Sequence, residues 1–362
     1  MKNSRHRTPY AISAESKSYI AEVRTAYKRG NLTLYLGAGV SKGNGLPTWN
    51  ELVLAMYFTA MEGDWKYRWR PYPNYLFAIA EWQLRHRPEP PEVTAQKVRQ
   101  YYQNPGEFLQ DLHATLYAGG NFYGSAEALR NANPLLKSVS DLCRQSQVNG
   151  PGIQRVVTYN YDDLLEIATR GSRCKFVSIW KSSDPSSDDE RPIFHVHGFI
   201  PVHGTTSEPD DIVFTEAQYH SAANDPYSWS NLCQIQSMSS SVGLTVGLSL
   251  TDSNMRRLLT ALKTTPLRKR IFALLEKPEW PEPRGAELDE IHEKARQYLD
   301  KFERSGVKTA GGRNDQMLEI VKAVNQHEQA SQTRMLENLG VTPIWYDGHE
   351  KVPPILDSIR RA

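Results

Sequence analysis

The sequence predicts an α/β fold: a doubly wound, mostly parallel sheet that carries an inserted helical module. Two observations lead to this prediction. Short apolar runs typical of buried strands alternate with helical patterns in residues 30–59 and again after residue 151. Between these parts, residues 60–150 are dense in aromatic residues and poor in strand patterns. We therefore predict a discontinuous sheet domain of residues 1–59 and 151–362, and a mainly helical module of residues 60–150.

The composition is typical of a soluble globular protein. Of the 362 residues, 39% are hydrophobic and 23% are charged, and a net charge of +2 is too balanced to require nucleic acid or an anionic membrane. No stretch approaches the roughly 20 apolar residues that span a bilayer, and the N-terminus lacks the apolar core of a secretory signal. The cysteines are few, widely spaced and odd in number, which favours a reducing cytoplasm over a disulfide-bonded protein.

The first predicted strand ends in a glycine turn. Gly30 ends a predicted N-terminal helix, and the apolar run from Leu32 to Leu36 follows as a short buried strand. The turn of Gly37, Ala38 and Gly39 comes next, then Ser41, and a helical pattern resumes at Trp49. Such a turn lets the backbone approach a nucleotide pyrophosphate, whose charge faces free N–H groups at a helix start. By itself the pattern also fits a plain strand-to-helix connection.

The helical module is predicted from its aromatic residues and its helical periodicity. An aromatic-rich helical face forms a core or a subunit contact more often than it stacks on nucleic-acid bases. The aromatic residues in question are Trp65, Tyr67, Trp69, Tyr72, Tyr75, Phe77 and Trp82.

Three further strands are predicted between residues 151 and 250. They are Ile153 to Thr158, Ile193 to His197 and Ser241 to Ser249. Helices are predicted from Leu164, from Glu216 and after Asp252.

The remainder of the chain is read as mostly polar. Residues 263–335 are charged, with helices predicted at residues 286–302 and 314–339. A final strand from Val341 to Tyr346 precedes a terminal helix that begins at Val352.

Four of the predicted strands carry polar groups or glycines at their carboxyl ends, where open α/β sheets bind ligands. Each group also has a plain structural explanation. Asn160 or Asp162 can cap the following helix, His195 and His197 can be hydrogen-bonded structural residues on one side of a strand, and Gly247 can serve close packing. The joint pattern is stronger than any part. The four groups are Gly37 to Ser41, Thr158 to Asp162, His195 to Gly198, and Gly247 to Ser249.

In this order, the motifs Gly-Ala-Gly-x-Ser, Thr-x-Asn-x-Asp, His-Gly and Gly-x-Ser resemble the sirtuin family. They are more specifically similar to the sirtuin-like domains of bacterial anti-phage defence systems. Those domains share Gly-Leu-Pro-Thr-Trp, as at residues 45–49, and Gly-x-Ser-x-x-Asp before a basic, leucine-rich helix, as at residues 247–259. The resemblance covers residues 30 to about 346 and implies a Rossmann-like sheet.

The sequence departs from the protein-deacylating sirtuins in three ways. It has no Cys-x-x-Cys pair, so we expect no structural zinc. Thr48, Trp49 and Asn50 replace the Asp-Phe-Arg segment of deacylases, and Tyr159 stands where they have glutamine. These departures favour hydrolysis of the dinucleotide over deacylation. A hydride-transfer site ranks lower still, because Gly43 falls one place too late for Gly-x-Gly-x-x-Gly.

The resemblance implies an NAD⁺ hydrolase that releases nicotinamide and ADP-ribose without a metal. It assigns Asn160 to the ribose and the attacking water, His197 to general base catalysis, and Asp162 to the nicotinamide carboxamide. The role of His195 stays open, and replacing it should matter less than replacing His197. The residues implied to hold the phosphates and the adenosine ribose are Gly37, Ala38, Gly39, Ser41, Gly247 and Ser249.

The resemblance also implies a cellular role and partners. In such systems the enzyme depletes cellular NAD once it is activated in a complex, so we expect a homo-oligomer and a partner such as a HerA-type ATPase or another defence protein. Direct binding of nucleic acid or membrane is not required. The alternative is a non-catalytic subunit that binds NAD or ADP-ribose in a larger assembly. The sequence does not reveal the activating signal or whether the isolated chain is active.

Overall fold

The computed structural model describes residues 14–361 except 66–72, 87–88, 121, 123–124, 148–149, 185–186, 188, 205, 267, 280, 282 and 305–316. The chain divides into two compact units. One is Met1–Leu275 with Leu339–Ala362, and the other is Glu276–Asn338.

The first unit is built on one seven-stranded sheet with the strand order β3-β4-β2-β1-β5-β6-β7. Every pairing from β3 to β6 is parallel, which confirms the predicted doubly wound α/β fold. The strands are β1 (Leu32–Leu36), β2 (Ile153–Thr158), β3 (Lys175–Ile179), β4 (Glu190–His195), β5 (Val242–Val246), β6 (Ile271–Glu276) and β7 (Val341–Tyr346). All five residues of β1 are buried, as expected of a central strand with helices on both faces.

The helices of the first unit flank this sheet. They are α1 (Ala14–Lys28), α2 (Gly39–Lys42), α3 (Trp49–Trp65), α4 (Pro73–His86), α5 (Pro91–Tyr101), α6 (Pro105–Leu116), α7 (Ala126–Ala132), α8 (Pro134–Arg144), α9 (Leu164–Thr169), α10 (Glu216–Asn224), α11 (Trp229–Ser240), α12 (Ser253–Leu262) and α15 (Val352–Arg360). The second unit contains α13 (Ala286–Arg304) and α14 (Met317–Asn338). No helix in the described parts of the chain has the length and apolarity to span a membrane.

Four strand ends lie level at one edge of the sheet. Leu36 is the register partner of both Thr158 and Val246, and Thr158 is the partner of His195. These residues are the last of β1, β2, β5 and β4. The polar groups that follow them therefore emerge at the same edge, as the sequence predicts.

Two strands and two strand ends differ from the sequence prediction, and one of these ends is that of β5, at Val246 rather than at Ser249. β3 was not predicted because its five residues, Lys-Phe-Val-Ser-Ile, form neither a continuous apolar run nor a regular alternation of apolar and polar side chains. β6 lies in the region read as polar, yet its residues from Ile271 to Leu275 are all buried, so this short apolar run is a core strand. β4 ends at His195 rather than at His197, because the N–H of Gly198 donates to the His195 carbonyl and closes a turn.

Within the predicted helical module, the described residues between 73 and 144 include the helices α4 to α8. The boundaries of that module at residues 60 and 150 stay a prediction, because the two compact units do not divide there. Tyr67, Trp69 and Tyr72 lie outside the described residues.

Candidate functional site

The glycine turn after β1 packs directly against the turn after β5. The N–H of Gly37 donates to the Val246 carbonyl at 3.2 Å, and the N–H of Gly39 donates to the Gly247 carbonyl at 3.0 Å. A Cβ on Gly37 would lie 2.5 Å from the Gly247 oxygen, and one on Gly39 would lie 2.8 Å from the Gly247 Cα. The glycines allow this close backbone approach, and two N–H groups predicted to face a pyrophosphate already have acceptors. Ala38, between them, is partly exposed.

Asn133, which sequence reasoning missed, holds this turn from the other side. Its side-chain amide donates to the Val40 carbonyl and to Asn44 Oδ1, each at 2.8 Å. Its Oδ1 accepts from the N–H groups of Leu135 and Leu136 and so caps α8. The residue is only 2% exposed, and its hydrogen bonds compensate for burying the amide.

The structure brings Ser41, Asn160 and Asp162 together. The Ser41 hydroxyl lies 2.9 and 3.0 Å from the two Asp162 carboxylate oxygens and donates to this carboxylate. The Asn160 amide donates to the Gly37 carbonyl at 3.1 Å and to Ser41 Oγ at 3.3 Å. The ends of β1 and β2 are therefore joined by side-chain hydrogen bonds at the predicted site.

Asp162 is a buried carboxylate that also supports α9, because its Oδ1 accepts from the Leu164 N–H at 3.1 Å. Burial raises the pKa of Asp162 to about 6, while the hydrogen bonds from Ser41 and from the Leu164 N–H act in the opposite direction. Nearby Glu166 and Asp163 raise this pKa further. The protein thus holds an acidic group that titrates close to neutral pH at the end of β2.

His197 lies beyond β4 and faces Asp252, its Nε2 being 3.2 Å from the aspartate Oδ2. Both side chains are at least 91% buried. Burial alone raises the pKa of Asp252, but His197 and the bond from the Met255 N–H outweigh it, so this pKa is lower than usual. Asp252 belongs to the Gly-x-Ser-x-x-Asp motif, but no local pattern predicts that it faces His197.

Two tyrosine rings surround His197. Tyr159 and Tyr219 contact the imidazole edge to face, with centroid separations of 5.0 and 5.5 Å. The Tyr159 hydroxyl donates to Gln234 at 2.6 Å, which orients the ring. The His197 backbone carbonyl accepts from the Val213 N–H at 2.9 Å. The two rings pack against the imidazole, and the backbone bond holds His197 in the segment after β4.

His195 has different partners from His197. Its Nδ1 lies 3.2 Å from the Asn160 carbonyl oxygen, and its Nε2 lies 2.7 Å from Glu166 Oε1. The side chain is 1% exposed and contacts the Phe199 ring at 4.4 Å between centroids. Glu166 was not singled out from the sequence, since it reads as an ordinary residue in the first turn of α9.

Gly247 and Ser249 stand at the end of β5. Gly247 has a φ of +62°, which favours glycine, and Ser249 is exposed with its hydroxyl 2.8 Å from Thr251 Oγ1. Leu250, between these hydroxyls, is 2% exposed and has a φ of +60°. A leucine in this conformation costs on the order of 1–2 kcal/mol, so the surrounding structure imposes it on this loop.

A small cavity, about the size of one water molecule, lies at the same edge of the sheet. Its polar lining comes from Ser41, Thr158, Asn160, Asp162, Glu166 and His195. The described residues contain no group of three or more His, Cys, Asp or Glu side chains arranged to hold a metal ion.

Residues 154–300 match a protein-family model described as SIR2-like domain. The matched stretch includes Asn160, Asp162, His197 and Ser249, whereas the glycine turn of β1 precedes it. No curated protein matches the sequence. The family match supports a sirtuin-like relationship and an NAD-related function.

Proposed function

We propose that this protein is an NAD⁺ hydrolase that cleaves the nicotinamide–ribose bond and releases ADP-ribose and nicotinamide. The proposal depends above all on the buried His197–Asp252 pair, which lies at the carboxyl edge of the sheet within the stretch that matches the SIR2-like domain. Asn160 follows the neighbouring strand β2 at the same edge.

The His197–Asp252 geometry suits general base catalysis. His197 Nε2 lies 3.2 Å from Asp252 Oδ2, a buried oxygen that has no hydrogen-bond partner among the described residues. A neutral imidazole that turned its Nε2–H towards this oxygen would keep a free electron pair on Nδ1. As the nicotinamide–ribose bond breaks, positive charge develops on the ribose, and Nδ1 would accept a proton from a ribose hydroxyl. The attacking water then bonds to the same ribose carbon and returns one proton to that hydroxyl, so the one proton released by hydrolysis is the one held by His197. Asp252 then stabilises the imidazolium, because its lowered pKa keeps it ionised at neutral pH.

Asn160 and Asp162 would orient the substrate in this proposal. The Asn160 side chain is held by hydrogen bonds from its amide to the Gly37 carbonyl and to Ser41 Oγ. In this position it would form polar contacts with the ribose and with the attacking water. The Asp162 carboxylate would accept from the NH₂ group of the nicotinamide carboxamide. Both residues are positioned by bonds that exist before any substrate arrives, which lowers the cost of ordering them.

Several groups proposed for phosphate binding are already engaged within the protein. Ser41, Gly37 and Gly39 already form hydrogen bonds inside the protein. Ser249 and Thr251 are exposed, and a phosphate can reach their hydroxyls without displacing a backbone hydrogen bond. Contacts of Ala38 and Gly247 with the dinucleotide stay predictions.

The same observation favours a second candidate function. If the glycine turn keeps its internal hydrogen bonds, the chain would bind NAD or ADP-ribose without turning it over, as a subunit of a larger assembly. A protein deacylase is less well supported, given the sequence departures described above.

The resemblance to defence-associated sirtuin-like domains supports a role as an anti-phage effector that depletes NAD. In that role the chain would act as a homo-oligomer, with a HerA-type ATPase or another defence protein controlling its activity. These partners are proposed from the resemblance alone.

The test is the release of nicotinamide from NAD⁺ by the purified chain, with and without candidate partners. Asn160→Ala and His197→Ala should each reduce release by roughly 10²-fold or more, because each removes a group that acts on the ribose. Exposed residues on α10 provide matched controls, Asn224→Ala and His220→Ala, which should keep the wild-type rate.

Equal release by the wild type and both site variants would overturn the assignment of these residues. If no preparation releases nicotinamide while ADP-ribose still raises the melting temperature of the chain, the binding-subunit alternative is correct.

A further inference from the structure

The two nitrogens of the buried His195 imidazole both face acceptor atoms. Nδ1 faces the Asn160 backbone carbonyl, which can only accept, and Nε2 faces Glu166 Oε1. A neutral imidazole has a single N–H, so it can donate to only one of them. If Glu166 is ionised and the imidazole is neutral, the ring nitrogen without a proton would place its lone pair against the lone pair of an acceptor oxygen at hydrogen-bond distance.

Two proton arrangements satisfy both contacts. Either His195 is an imidazolium that donates from both nitrogens, or Glu166 is a carboxylic acid that donates to Nε2 while Nδ1–H donates to Asn160. Each arrangement leaves the pair with no net charge. Each arrangement has one proton more than a neutral imidazole beside an ionised carboxylate. In both arrangements Nδ1 of His195 carries a proton.

The surroundings favour keeping this proton. The titratable groups that face the pair are Asp162 and Asp163 before α9, Tyr117 after α6 and Cys143 on α8. Burial raises the pKa of the Tyr117 hydroxyl and of the Cys143 thiol, so both stay neutral. Loss of the proton would place a net negative charge in a buried site beside two carboxyl groups, which is unfavourable.

We propose that the His195–Glu166 pair is a proton-retaining positioning element for Asn160, in which Nδ1–H of His195 holds the Asn160 carbonyl and so fixes the amide side chain. The proposal rests on the function proposed above, because it assigns the pair to the same reaction. His195 is a positioning residue and not a catalytic one, since its contacts are with Asn160 and Glu166. Ser178 completes the arrangement by donating to Glu166 Oε1 at 2.8 Å.

The direct test reads the proton and needs no activity. Nitrogen NMR of the full chain labelled in its histidine rings, assigned with His195→Gln, should show a proton on Nδ1 of His195 at neutral pH. A His195 whose Nδ1 carries no proton at neutral pH would overturn the proposal. This measurement gives a result even if the chain proves not to hydrolyse NAD⁺.

The kinetic test uses Glu166→Gln. The NH₂ group of the glutamine can donate to Nε2 of a neutral His195 and to Ser178 Oγ. The single N–H of the neutral imidazole is then on Nδ1 and donates to the Asn160 carbonyl, so the pair does not need the extra proton of the wild type. Wild-type kcat should fall on the alkaline side as the pair loses its proton. Glu166→Gln should keep kcat at neutral pH within about 3-fold, because the geometry is retained, and should lose this alkaline decrease.

Two further variants separate positioning from folding. Glu166→Leu should lower kcat by about 10²-fold with KM little changed, because a displaced Asn160 misplaces the ribose. Glu107→Gln, on the exposed surface of α6, should leave the whole pH profile unchanged. An alkaline decrease in Glu166→Gln equal to that of the wild type would contradict the proposal.

Discussion

Asp252 uses its two carboxylate oxygens for different contacts. Oδ1 accepts from the Met255 N–H at 2.6 Å and caps α12, while Oδ2 faces Nε2 of His197. Capping is a structural role that asparagine also fills, whereas holding a proton on Nε2 requires a group that only accepts. The two roles can therefore be separated by one substitution.

Asp252→Asn should leave the fold stable and remove the activity. The asparagine Oδ1 can still cap α12, but its NH₂ group would face His197 and favour the tautomer with the proton on Nδ1. We expect a loss of roughly 10²–10⁴-fold in kcat and a change in unfolding free energy below about 1 kcal/mol. Steady-state kinetics and urea unfolding measure both. Asp225→Asn, an exposed residue after α10, is the control, and an active Asp252→Asn enzyme would contradict the assigned role.

The raised pKa of Asp162 predicts a dependence of stability on pH. Because the folded protein binds this proton more tightly than the unfolded chain, Asp162 favours folding below the unfolded value of 3.8. That contribution is lost as the pH rises to about 6. A difference of about two pKa units corresponds to roughly 3 kcal/mol.

Asp162→Asn should remove this dependence. Relative to the wild type, the variant should gain on the order of 3 kcal/mol in unfolding free energy between about pH 4 and pH 7, as measured by urea unfolding. Asp210→Asn, at an exposed position, should show no such gain. A constant difference between Asp162→Asn and the wild type across this range would show that the carboxylate does not titrate there.

At the scale of elements, the contact between the turns after β1 and β5 can be tested with two glycines of similar conformation. Gly247 and Gly171 have φ values of +62° and +73°. A Cβ on Gly247 would lie 2.7 Å from the Val40 nitrogen, whereas a Cβ on Gly171 would meet nothing within 4 Å. Both alanine variants suffer the same backbone strain, so their difference measures the steric clash between the turns.

We expect Gly171→Ala to cost about 1 kcal/mol, from backbone strain alone. Gly247→Ala should cost at least about 2 kcal/mol more, because a backbone neighbour cannot move aside as a flexible side chain can. Urea unfolding gives both values. Equal costs would mean that the two turns separate easily, and the close approach would then not constrain the site.

The sequence predicted those elements whose pattern is local. The apolar run of β1 and Gly30, with its φ of +64°, have the strand and helix-stop patterns that the structure confirms. β3 and β6 were missed for a physical reason. β3 is only partly buried, and β6 is five apolar residues among charged ones, so its burial depends on pairing with β5.

The candidate site could be predicted only in part from the sequence, because part of it depends on long-range packing. Strand ends could be matched, because parallel strands share one carboxyl edge. The partners of the two histidines could not be predicted, since His197 faces a residue after β5 and His195 faces one on α9. Such pairs depend on how the chain packs and not on any local pattern.

At the scale of the whole molecule, the sheet unit contains the strands of the described residues, apart from the last residue of β6, and all of the proposed site residues. The second unit contains α13 and α14. The proposed chemistry draws on β1, β2, β4 and β5 together. It therefore requires the folded sheet, and it should disappear in the same transition as the tertiary structure.

Cleavage of the nicotinamide–ribose bond at this edge of the sheet can be measured by product analysis. NAD⁺ would be incubated with the wild type and with His197→Ala, and the products separated by chromatography and identified by mass. We expect nicotinamide and ADP-ribose in equal amounts from the wild type, and almost none of either from His197→Ala. Intact NAD⁺ under every condition, cleavage at the pyrophosphate to give AMP, or equal product from both proteins would contradict it.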